Sequence, residues 1–195
     1  MKLFYREFGS GQPVIILHGL FGQSDNWVTV ARRIADQFHV YIPDQRNHGQ
    51  SPHASVHSFP AMADDLSIFI EEHNIVNPII IGHSMGGKTA MTYALENAGD
   101  VKKLVVIDIS PRRYPERKIH TQVISQMMSI DLDSVTTRTE VEKILDSQIS
   151  DSRVRMFMMK NFVAHWKNPM AIRNMHPYRN FIVSRSPKAV IGMMY

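Results

Sequence analysis

The chain has no cysteine, and that absence removes disulfides, thiolate metal sites and cysteine nucleophiles together while leaving the compartment open. It also has no acidic residue after Asp151. Up to that point 14 Lys and Arg stand against 18 Asp and Glu; beyond it come 8 basic residues and no acid, so the net charge of +4 belongs to the last part of the chain. A nucleic-acid surface needs basic residues gathered on one face with groove-reading or stacking elements, and no recognised module of that kind is present. No nucleic-acid partner is expected. No apolar run reaches the roughly 18 residues of a membrane span, and the opening Met1-Lys2-Leu3-Phe4-Tyr5-Arg6-Glu7 lacks the uninterrupted apolar stretch of a secretory signal. The expectation is a cytoplasmic protein without membrane contact, monomeric by default. With 195 residues, 44% hydrophobic and 21% charged, one sizeable core can be filled.

Two hydrophobic periods alternate in the first half. Val14-Ile15-Ile16-Leu17, Val40-Tyr41-Ile42, Ile79-Ile80-Ile81 and Leu104-Val105-Val106-Ile107 are short apolar runs without polar alternation, as strands buried on both faces of a parallel sheet require. Between them Trp27, Val30, Ala31 and Ile34, then Met62, Leu66, Phe69 and Ile70, then Ala90, Met91, Ala94 and Leu95 recur at helical spacing. The fold class is therefore α/β, with a mostly parallel sheet flanked by helices. Leu3 to Phe8, closed by Gly9-Ser10-Gly11, reads as an extra edge strand or hairpin. After Pro111 the strand signal stops, and amphipathic stretches around Ile119 to Ile130, Val141 to Ile149 and Val154 to Phe162 predict a helical insertion. From Lys167 the pattern weakens to one apolar run, Phe181-Ile182-Val183. The predicted division is a core over 1–111, a helical cap over 112–166 and an atypical basic tail over 167–195.

The chemistry is carried by Ile79-Ile80-Ile81-Gly82-His83-Ser84-Met85-Gly86-Gly87-Lys88-Thr89-Ala90. It sets G-x-S-x-G between a buried strand and a helix rich in small residues, the context in which that pattern carries a nucleophilic serine. A serine on so sharp a turn exposes its Oγ, and the helix start behind it aims free N–H groups at developing negative charge. His18-Gly19-Leu20-Phe21-Gly22 follows the strand ending at Leu17, and its position suits a second oxyanion donor. The backbone amides of Leu20 and Met85 are the candidate pair. His18 itself reads as a residue that organises the loop.

These two blocks, with Asp44-Gln45-Arg46-Asn47-His48-Gly49-Gln50-Ser51 and Val106-Ile107-Asp108-Ile109-Ser110-Pro111, resemble the bacterial acyl esterases of the α/β-hydrolase superfamily that carry a small helical cap. The resemblance runs to about Trp166. It implies hydrolysis of short- to medium-chain acyl esters or thioesters, acyl-CoA among them, with no metal and no organic cofactor. A serine hydroxyl needs a histidine to take its proton and a carboxylate to hold that histidine. Asp108 ends the strand after the nucleophile helix, at the same sheet edge as Ser84, and the resemblance places the acid there; capping the turn before Pro111 is its other reading.

The histidine is the gap. In the superfamily it follows the acid, on a loop after the last strand, and here only His120, His165 and His176 follow Asp108. None lies in a Gly-His setting, and none is singled out as the base. Members of the family run on through two further strands, so the expectation is a chain that lacks the C-terminal strands, by truncation, frame disruption or divergence. Three functions compete: a serine ester or thioester hydrolase, a relative that uses Ser84 for perhydrolysis or carbon-carbon cleavage, and a non-catalytic remnant or binding protein. Arg46 and Ser51 read as braces of the loop after the second run, Lys88 as facing solvent or a neighbouring loop. The 13 methionines suit adaptable core packing or the lining of an acyl pocket.

Overall fold

The computed structural model describes residues 1–112, 125–127, 129–131, 134, 135, 137–165 and 168–172. The chain divides into two compact units, Met1–Arg112 and Arg113–Tyr195. The first contains β1 (Tyr5–Phe8), β2 (Gln12–Leu17), α1 (Val28–Ile34), β3 (Phe38–Pro43), α2 (Phe59–Glu72), β4 (Ile79–His83), α3 (Met85–Glu96) and β5 (Lys103–Ile107). Every apolar run read as a strand is one. The sheet order is β1-β3-β2-β4-β5, with β1 antiparallel to β3 and the remaining pairs parallel.

In β2 and β3 the runs lack polar alternation because both faces of the sheet are covered there, whereas Leu104, Val105 and Ile107 of β5 are exposed. Val14 and Ile16 pack with Ala31, Val40 and Ile42 on the α1 side. Ile15 and Leu17, one residue out of phase, pack with Leu66, Phe69, Ala90 and Tyr93 on the side of α2 and α3. Burying each large aliphatic or aromatic side chain of this kind is worth about 1.5–3 kcal/mol. Helix α2 begins where Ser58 Oγ accepts the Ala61 N–H at 3.4 Å and Pro60 occupies the first turn, a cap and a proline at the positions that tolerate them.

Connectivity decides where a ligand fits. The chain leaves β2 for β3 on one side, then crosses back to β4 on the other, with Leu17 beside Gly82 in register. The loops that follow β2 and β4 therefore diverge from neighbouring carboxyl ends, the place where open α/β sheets form their binding crevice.

The loop after β3 is braced as the sequence suggests. Arg46 Nε donates to Asp65 Oδ2 at 2.6 Å and Arg46 Nη1 to the Val56 carbonyl at 2.9 Å, while Asp65 Oδ1 takes the α-ammonium of Met1 at 2.6 Å. Ser51 Oγ donates to the Asp44 carbonyl at 2.5 Å and accepts the Phe4 N–H at 2.9 Å, tying the same loop to the first residues of the chain.

In the second unit α4 (Arg138–Gln148) and α5 (Ser152–Met159) precede β6 (Phe162–His165) and β7 (Asn168–Ile172), an antiparallel pair. Thr137 and Glu140 form a reciprocal capping box at the start of α4, and Asp151 caps α5. The sequence reading carried the last helical stretch to Phe162 and found no strand after Pro111; the helix ends at Met159 and a strand begins at Phe162. Buried Asn161 is the cause: its amide donates to the carbonyls of Phe157 and Met158 at 3.4 and 3.3 Å, closing the helix with a side chain. The strands escaped notice because they are four and five residues long and Pro169 interrupts the second, a residue confined to sheet edges. His120, His176 and Phe181-Ile182-Val183 lie outside the described residues.

Asp65 is nearly sealed, with 3% of its side chain exposed, and its Arg46 partner is 9% exposed. Asp65→Ala strands a buried guanidinium and is expected to cost about 3–5 kcal/mol, read as a lower urea midpoint in tryptophan fluorescence.

Candidate active site

Ser84 is the turning point between β4 and α3. Its backbone lies at φ 51°, ψ −114°, outside the regions that L residues ordinarily occupy. The crossing is tight enough to explain this. A Cβ on Gly82 would stand 2.4 Å from the Gly86 carbonyl oxygen, and one on Gly86 would stand 2.4 Å from the Leu17 carbonyl oxygen and 2.6 Å from that of His18. Only hydrogen fits at either place. Helix α3 can therefore start directly against the ends of β2 and β4, and its first amides, Met85 among them, have no intrahelical acceptor.

The loop after β2 closes on the same spot. Gly22 N–H donates to the Gly19 carbonyl at 3.0 Å, making a turn with Leu20 and Phe21 at its corners, and buried Phe21 sits at φ 60°. Gly19 lies against Ser84: a Cβ there would be 3.3 Å from Ser84 Cβ and 2.9 Å from His83 Nδ1. Asp108 emerges at the same edge. Ser84 N–H donates to the Ile107 carbonyl at 2.9 Å, and Asp108, the next residue, is exposed and also left-handed at φ 55°. Three non-glycine residues with positive φ thus meet where the sequence placed a nucleophile, a donor loop and an acid. Strain of this kind persists only where the surroundings over-determine it, and it collects at functional sites.

Residues 12–156 match the model of the alpha/beta hydrolase fold family. The chain belongs to that family. It is 36% identical over 159 residues to the sn-1-specific diacylglycerol lipase ABHD11 of Xenopus laevis, covering 78% of this chain and 51% of that protein. To esterase YbfF of Escherichia coli it is 33% identical over 159 residues, covering 81% of this chain and 62% of that one. Among solved structures, a marine microorganism esterase superposes with a TM-score of 0.90 at 41% identity, over 99% of this chain and 73% of its own. The chain therefore spans about half to two thirds of the length of these two curated relatives.

What holds the hydrolase loops together was only partly legible. His18 is fully buried; its Nε2 accepts the Gln45 N–H at 3.0 Å, so Nδ1 carries the proton and donates to the Gly19 carbonyl at 2.9 Å. Gln45 returns its side-chain amide to the His18 carbonyl at 2.7 Å and accepts Thr89 Oγ1 at 2.8 Å. This relay fixes the Gly19-Leu20 turn to α3, and it uses both ring nitrogens of His18. Asp44, which sequence reasoning did not single out, holds the other end of the loop. Its buried carboxylate accepts the Ser24 N–H at 2.5 Å and the Gln50 N–H at 2.8 Å, and burial raises its pKa. The signal was present in the block from Asp44 to Ser51, but not the assignment of each residue to a partner.

Among the described residues no histidine hydrogen-bonds Ser84. His165 lies on β6 of the second unit. Nor do three His, Asp or Glu side chains converge as a metal site would require, and no helix is long and apolar enough to cross a membrane, both among the described residues.

His18, His48 and His57 form a buried run, with ring centroids 5.1 and 5.8 Å apart. Burial is the main cause that lowers them to about 4, about 3 and about 3; the neighbouring rings and, for His57, Arg46 add to it. Folded, all three stay neutral in mild acid, whereas the unfolded chain takes up protons below about pH 6.5. Stability is complete above that pH and falls as pH drops toward 5, by up to roughly 1.4 kcal/mol per pH unit for each histidine; urea midpoints at pH 7.5, 6 and 5 check this. Gly86→Ala forces a Cβ into two backbone carbonyls that cannot swing away, and a loss of roughly 1–3 kcal/mol is expected in the same assay.

Proposed function

We propose that this hydrolase-family chain is built for acyl transfer through Ser84, on short- to medium-chain acyl esters or thioesters. The observation that carries the reading is the strained backbone of Ser84 on a strand-to-helix turn that excludes every Cβ at Gly82 and Gly86. Ser84 Oγ attacks the carbonyl carbon, and the amides of Leu20 and Met85 receive the oxyanion, supported by the positive end of α3. Asp108 is the acid that orients the base, a histidine in the superfamily. Collapse of the tetrahedral species expels the alcohol or thiol and leaves an acyl-serine, which water then cleaves. The relatives named esterase and lipase support ester chemistry as the reaction class.

A second reading is a non-catalytic remnant or acyl-binding protein. It is favoured by His18, whose ring nitrogens are both engaged and whose pKa burial lowers to about 4, which removes the histidine of the donor loop as a base.

The deciding experiment is hydrolysis of p-nitrophenyl butyrate by the 195-residue chain beside Ser84→Ala, with intact-mass detection of an acyl adduct. Steady turnover that falls by about a thousandfold or more in the variant is expected for the hydrolase. An acyl-Ser84 adduct that forms without turnover points to a chain that acylates but lacks the base for the second half. Neither adduct nor turnover supports the remnant.

A further inference from the structure

The start of α3 is fastened to the segment leaving β5 at three successive points. The Ser84 N–H donates to the Ile107 carbonyl at 2.9 Å. A Cβ on Gly87 would lie 2.5 Å from Ile109 Cγ2, so the helix backbone runs directly against that side chain. One residue further along the helix, Lys88 Nζ donates to the Arg112 carbonyl at 2.7 Å. Asp108 lies between the first tie and the other two, at φ 55°. Aspartate tolerates the left-handed region better than most residues, but a single residue there is held by what surrounds it.

We infer that Lys88 is a positioning residue for Asp108: its ammonium anchors the far end of the Asp108–Arg112 turn to the helix that begins behind Ser84. The inference rests on the acyl-transfer reading for its catalytic consequence, since that reading assigns work to the separation of Ser84 and Asp108. Position in the helix makes the residue type informative. A cation one turn into α3 faces the positive end of the helix dipole, where electrostatics favours carboxylates instead. A bond from a charged donor to a carbonyl is about twice as strong as a neutral one, and a four-carbon stem reaches across from helix to turn. Lys88 thereby complements Ser84 N–H, which holds the near side of Asp108, and Gly87, whose missing side chain lets Ile109 seat. The sequence left Lys88 between solvent and a neighbouring loop; the structure puts its ammonium on the loop that carries the candidate acid.

The test uses Lys88→Met and Lys88→Arg in the 195-residue chain, with three readouts: amide exchange of peptides spanning 103–112, the rate at which a fluorophosphonate labels Ser84, and the thermal midpoint. For Lys88→Met the expected result is exchange at 108–112 faster by about tenfold with β4 unchanged, labelling slower by about five- to tenfold, and a midpoint within about 2 °C of the parent. Lys88→Arg keeps a charged donor and is expected to restore both exchange and labelling. Unchanged exchange at 108–112 in Lys88→Met overturns the inference whatever the labelling does. Faster exchange with labelling at the parental rate overturns it as well, since the turn would then be held without consequence for Ser84. If the parent chain fails to label, the acyl-transfer reading fails on its own, and the exchange arm with its arginine rescue still decides whether Lys88 holds the turn.

Discussion

The crossing of β4 into α3 leaves no room for a Cβ at Gly82 or Gly86, and the rest of the first unit is arranged around that contact. Because the helix backbone touches the carbonyls of Leu17 and His18, the end of β2 and the start of α3 sit as close as two chains can. Ser84 must then turn through a conformation unfavourable for any residue but glycine, and it is kept there by strands on both sides of β4 and by its N–H bond to Ile107. The strain is local; what sustains it is the packing of the sheet.

Around this contact the polar groups are committed one by one. His18, Gln45 and Thr89 link three elements through three hydrogen bonds whose partners lie 27 and 44 residues apart in the chain. Asp44 and Ser51 do the same for the loops after β2 and β3. A buried network of this sort stabilises most when its members are satisfied, and the block from Asp44 to Ser51 is rich in side chains able to donate and accept, although His48 Nε2 is buried without a hydrogen-bond partner among the described residues. The same burial that satisfies His18 makes it a poor base. Its position near Ser84 reflects structure, and its depressed pKa follows from desolvation.

The strands, the helices of the first unit and the serine turn were readable because their signals are short-ranged. Apolar runs of four residues, helical spacing, and glycine on both sides of a serine each act within a few positions. The antiparallel pair β6 and β7 was missed because its strands are too short to establish a period, and the end of α5 was misplaced because the residue that ends it is an asparagine bonding back to two carbonyls. Helical periodicity gives no warning of such a stop. Lys88 was ambiguous for a related reason: the sequence shows a lysine after a glycine pair, and nothing local says that a carbonyl 24 residues later lies within its reach.

By itself the sequence determined the alternation of strand and helix, the place of the turn that holds Ser84, and the arrival of Asp108 at the same sheet edge. Only the tertiary structure decided what each polar residue does there: His18 as a bonded, neutral strut, Asp44 as the anchor of the loop after β2, Asp108 in a left-handed backbone beside the helix start. Periodicity and turn chemistry are properties of neighbouring residues, and a sequence displays them directly. Burial, hydrogen-bond partners and pKa depend on which remote segments are brought into contact, and those exist only once the sheet has closed.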